Sequence, residues 1–110
     1  MTAPRSTDIL ILAPRGRDAE LAQSVLARGG LTARHVDARD LLATLDEGVG
    51  AAVVTREALD EVRRPLTTWL AAQPPWSDFP LIVLASVRPG APLDVRGLGN
   101  VTLLERPLAA

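Results

Sequence analysis

The side chains able to do chemistry are few in this 110-residue chain: one histidine, His35, no cysteine, and basic residues that are all arginine. Without cysteine there is no thiolate nucleophile, no disulfide and no thiolate-bound zinc. One histidine cannot build a multi-histidine metal site. A hydroxyl–histidine–acid arrangement needs the histidine beside the nucleophile, and His35 falls in LTARHV, which reads as an edge strand with His35 at its surface. Four arginines follow apolar runs: Arg15 and Arg17 in APRGR, Arg56 in TRE, and Arg106 in ERP. Together with helix amide groups they form a candidate anion site, although neither GxGxxG nor GxxxxGK[ST] is present. Their ordinary roles are a solvated turn at Arg15 and Arg17 and an ion pair at Arg106. Thr55 closes the run GAAVV. As a nucleophile it would need a neighbouring base, and the sequence places neither histidine nor lysine there; as the residue before a helix it caps that helix with its hydroxyl. Glu57 then falls in the first helical turn, favourably placed against the helix dipole. Trp69 and Trp76, around the PPWSDFP loop, either form a binding surface or pin that loop.

These residues must be held by the elements around them. TDILILA (7–13) is an apolar run of strand length, suited to a strand buried on both faces as in a parallel sheet. Asp18 is placed to cap a helix carrying Leu21, Val25 and Leu26, which stops at Gly29-Gly30. LTARHV (31–36) follows as the edge strand, and Asp37 or Asp40 starts a second helix through Leu41, Leu42 and Leu45 to Gly48. AAVV (51–54) is a buried strand. Because proline lacks the amide hydrogen a helix interior uses, Pro65 predicts a short turn at 57–62 and a separate helix over about 65–73. PLIVLA (80–85) and VTLL (101–104) are the last two strands. The stretch SVRPGAPLDVRGLGN between them has room for a helical turn or two around 93–98.

Strands alternating with helices predict one doubly wound α/β domain over residues 1–110 with a parallel sheet and right-handed crossovers, residues 1–6 being a flexible lead-in. A hydrophobic fraction of 47% and a charged fraction of 23% suit a globular chain with one core. The net charge of −1 gives no field to draw nucleic acid or an anionic membrane. The polar MTAPRSTD start lacks a signal-peptide core, and no apolar run approaches the ~20 residues that span a bilayer. A cytoplasmic location without direct membrane contact is expected.

The stretches LILAPRGRDAEL, WLAAQPPWSDFPLIVL and LGNVTLLERPL give the chain a likeness, from Asp8 to Leu108, to a known family. It resembles the receiver domain of two-component signalling, and most of all the degenerate receiver-like domain at the N-terminus of some bacterial sensor and hybrid histidine kinases. The resemblance implies a flavodoxin-like sheet of order 2-1-3-4-5, with the fourth helix short and the fifth missing. Receivers bind Mg²⁺ with an acidic pair after the first strand, accept phosphate on an aspartate ending the third, and complete the switch with a hydroxyl after the fourth strand and a lysine before a cis-proline after the fifth. Carried onto this chain, the acidic pair falls at Ala13 and Pro14, the phosphoacceptor at Thr55 and the switch hydroxyl at Ala85, with Ser86 one place on. The lysine becomes Arg106, followed by Pro107 in an expected cis turn.

With those acids absent there is little to hold a hard divalent cation and no carboxylate to take a phosphoryl group. The expectation is a domain without catalytic activity, metal or cofactor. It would serve the sensor and kinase modules of a parent histidine kinase by docking, or by forming a homodimer. Loss of a fifth helix would leave Ile9, Ile11 or their neighbours bare on one sheet face, which a second copy would cover. Three alternatives stay open: a sensory module binding a small anion or nucleotide through Arg15, Arg17, Arg56 and Arg106; an enzyme of flavodoxin-like fold; and a phosphorylatable receiver using a displaced acid such as Asp18 or Glu57.

Overall fold

The computed structural model describes residues 8–13, 17–74, 78–85 and 94–105. Five strands, β1 (Ile9–Leu12), β2 (Ala33–His35), β3 (Ala51–Thr55), β4 (Leu81–Ala85) and β5 (Val101–Glu105), form one all-parallel sheet in the order β2-β1-β3-β4-β5. Among the described residues the α-helices are α1 (Arg17–Arg28), α2 (Leu41–Glu47) and α3 (Arg56–Ala71); a 3₁₀ turn, Ala38–Asp40, leads into α2. The architecture is α/β, with helices on both faces of the sheet. No helix among the described residues is long and apolar enough to cross a membrane.

Position in the sheet follows from apolarity. AAVVT is buried at all five positions and is the central strand, whereas the three-residue ARH strand is only partly covered and lies at an edge. Alternate side chains of each strand enter different layers. Leu10, Leu12, Ala52, Val54, Leu81 and Val83 pack with Leu41 and Leu45 of α2 and with Leu59, Val62 and Leu66 of α3. Ile11, Val53 and Leu84 pack with Ala19 and Ala22 of α1. Leu98, fully buried, joins the α2/α3 layer from the loop before β5.

α1 ends where two glycines make continuation costly. Gly30 takes φ +79°, its amide donates to the Ala27 carbonyl at 3.0 Å, and the Leu31 amide donates to Leu26 at 2.9 Å. This closes the last turn in a Schellman motif, for which a positive-φ glycine is the natural residue. At the start of α2 neither Asp37 nor Asp40 supplies a side-chain cap. Instead the Thr44 hydroxyl donates to the Asp40 carbonyl at 2.9 Å.

Three expectations are corrected. First, Pro65 does not divide the third helical region: α3 runs unbroken from Arg56 to Ala71 with Pro65 inside it. Ala58, Leu59, Val62 and Leu66 fall on one buried stripe that continues past the proline, so a break would have turned half of it away from the sheet. Pro65 and Glu61, whose carbonyl loses its amide partner, are both exposed, where solvent is available to that carbonyl. Second, Ile11 is not bare: it is 1% exposed beneath α1, and Ile9 is half-buried in the same layer. The exposed apolar strand residues are Leu103 and Leu104 of β5. Third, residues 94–98 hold no helix, only a turn in which the Leu98 amide donates to Val95 at 3.2 Å. The rest of the expected fourth-helix region, the position of a fifth helix, the cis turn at Arg106-Pro107 and the lead-in 1–6 lie outside the described residues.

Candidate functional site at the carboxyl edge of the sheet

Ligands of open α/β sheets sit beyond the carboxyl ends of the strands. Strand register shows which residues meet there. Leu12 lies opposite Val54, so Ala13 and Thr55 are neighbours where β1 and β3 end. Thr55 lies opposite Leu84, and Ala85 opposite Glu105. The topology therefore sets Ala13, Thr55 and Ala85 side by side along one edge.

Thr55 is 0% exposed. Its backbone is extended, and its Oγ1 accepts a hydrogen bond from the Ala58 amide at 3.2 Å, which caps α3. One of the helix's orphan amides is satisfied in this way. Glu57 follows, exposed in the first turn. Ala85 is buried at the end of β4.

Ala13 contributes its carbonyl, which takes a 2.8 Å hydrogen bond from Nε2 of His35. A carbonyl only accepts, so this contact selects the tautomer with the proton on Nε2. His35 is exposed, as the sequence suggests. The contact itself was not visible in the sequence, because it depends on β2 lying against β1.

A cleft of about 450 Å³ opens beside this edge between the end of β1, the turn before α2 and the first turns of α3. Leu12, Ala13, Val36 and Ala58 supply its apolar wall, and Asp37, Arg39 and Glu61 its charges. Asp37 pairs with Arg39 at 3.8 Å. Two carboxylates against one guanidinium leave the described lining net acidic. Arg39 and Glu61 were not singled out from the sequence, and Asp37 only as a possible helix start; Asp37 and Arg39 reach the cleft from the turn before α2, and Glu61 from α3.

Of the four arginines considered for an anion, Arg56 opens α3 and Arg17 opens α1, at the same edge. Arg15 and Arg106 lie outside the described residues, as do Pro14, Ser86, Pro107 and Trp76. The structure thus brings Ala13, Thr55, Ala85 and Arg56 to one edge and does not describe an arginine cluster. Among the described residues no three His, Asp or Glu side chains gather as metal ligands.

Away from this edge, Trp69 stacks edge-on against Phe79 at 5.2 Å between centroids, and its Nε1 donates to Asp46 at 3.1 Å. Both contacts suit a structural pin between α3, α2 and the start of β4.

The chain matches no protein-family model, no curated protein and no solved structure.

Proposed function

We propose that this chain is a receiver-like signalling module of flavodoxin-like fold that has lost phosphoacceptor chemistry and acts by protein contact. The observation that carries the reading is Thr55. It stands at the end of the central strand, where a receiver keeps its aspartate, fully buried and with its hydroxyl committed to the cap of α3. Its neighbours across the ladder, Ala13 and Ala85, offer no oxygen ligand beyond their carbonyls, and the Ala13 carbonyl already receives His35. A hard cation wants several oxygen ligands, and without one an incoming phosphoryl group lacks the charge stabilisation that a bound cation supplies.

The natural setting of such a module is a cytoplasmic segment of a sensor histidine kinase, where it docks on the sensory or kinase modules or on a second copy. Incubation with acetyl phosphate and Mg²⁺, followed by intact mass spectrometry, tests the proposal. The expected product is unmodified protein. A phosphate adduct, on a displaced acid such as Asp18 or Glu57 or anywhere else, would overturn it.

A further inference from the structure

The two edges of the sheet are built differently. β2 is three residues long and carries Arg34, which pairs with Glu47 at 3.9 Å, and His35. Short, charged edges resist pairing with another chain. β5 is five residues long, has no proline, and reaches its only charge at Glu105. Leu103 and Leu104 are 55% and 41% exposed on it.

Its backbone alternation is fixed by one bond: the Asn100 carbonyl accepts from the Leu81 amide at 2.9 Å. Residues 100, 102 and 104 therefore turn their backbone groups toward β4, and Val101, Leu103 and Glu105 turn theirs outward. Val101 packs in the α2/α3 layer, which puts Leu103 on that face and Leu104 on the α1 face. The outward residues are spaced symmetrically about Leu103.

We propose that β5 pairs antiparallel with β5 of a second copy, about a two-fold axis through Leu103, joining two sheets into one. This rests on the contact-based reading above and names its surface. The symmetry is self-consistent. Leu103 exchanges both backbone bonds with its own mate, and Val101 and Glu105 exchange theirs with each other, giving about six inter-chain hydrogen bonds. On one face the two Leu103 side chains meet; on the other, Leu104 lies beside Thr102 of the second copy. Facing side chains then share a face, as antiparallel pairing requires. One short strand buries less than the ~800 Å² per partner of a standard interface, so the dimer is concentration-dependent, in the micromolar range.

Sedimentation of the full chain from low to high micromolar concentration tests this, with circular dichroism and melting curves reporting the fold of each variant. Leu103→Pro removes an outward amide that the β4 ladder does not use, a change that edge strands tolerate. Leu103→Glu sets like charges against each other across the axis. The expected result is dimerising wild type, monomeric Leu103→Pro, and Leu103→Glu weakened by at least about tenfold. A wild type that stays monomeric throughout, or either variant dimerising like wild type, would overturn the proposal. The phosphodonor experiment is independent of this one, so a failure here leaves the loss of phosphoacceptor chemistry standing.

Discussion

Replacing Thr55 by valine keeps the branched shape and removes the hydroxyl. The Ala58 amide, on a residue that is itself buried, then loses its partner at the first turn of a 16-residue helix. Losing a cap typically costs about 0.5–2 kcal/mol, and a buried donor left unsatisfied about 1–3 kcal/mol. These overlap, because both describe the same amide, and the expected loss is about 1–2 kcal/mol. In a domain of this size that is a fall in Tm of about 4–8 °C per kcal/mol. Thr55→Ser keeps the acceptor and loses one buried methyl, about 0.8 kcal/mol, and should fall between wild type and Thr55→Val. Urea unfolding followed by tryptophan fluorescence supplies the midpoints, since Trp69 lies on the same helix. If Thr55→Val matched wild type, or Thr55→Ser fell as far as Thr55→Val, the hydroxyl would not be the cap described and the structural role assigned to Thr55 would fail.

Leu98→Ala should cost about 2–5 kcal/mol in chemical denaturation, because Leu98 is a fully buried side chain of the α2/α3 layer. Pro65→Ala should raise stability by about 1–3 kcal/mol, since it restores a missing helical amide at an exposed site; an unchanged or lower denaturation midpoint counts against the unbroken helix. Asp94 is held well below its usual carboxylate range, first by the Arg96 side chain at 2.8 and 3.0 Å and then by the Arg96 backbone amide. A depressed folded-state pKa gives stability that is present above the unfolded value near 4 and lost only as pH falls through the folded value. The stability gap between wild type and Asp94→Asn, followed by acid titration of the melting temperature, should therefore be full at neutral pH, begin to narrow below about pH 4 and close only as pH falls through the depressed folded value. Salt should narrow it, because the pair is exposed.

The strands could be read from the sequence because each buried one is a continuous apolar run between turn residues. Ile9–Leu12, Ala51–Thr55 and Leu81–Ala85 all fall within a residue or two of their expected limits. That the sheet is parallel followed from their alternation with helices, whereas the strand order was implied only by the resemblance. The α3 region was misread because proline is a strong local signal, whereas the stripe that overrides it acts only once the helix meets the sheet. The misplaced exposure of Ile11 has the same origin, since four strand residues do not say which face α1 will cover. At the carboxyl edge Thr55 was recognisable as a cap from its place between the AAVV strand and the helix that follows. The His35 bond to Ala13, and the Arg63 bond to the Asp94 carbonyl at 2.8 Å, join residues far apart in sequence, so no local pattern announces them.

The position of β3 also bears on how the chain folds. Ile9 meets Ala51, 42 residues further on, and no strand in the sheet pairs with an antiparallel neighbour across a tight hairpin. The β1–β2, β1–β3 and β3–β4 ladders must each close a loop containing a helix before they gain anything, which places such a chain among slower, millisecond-scale folders. Once formed, the β3 amides are shielded on both sides and should be the last to exchange with deuterium, while those at the two margins of the sheet open first.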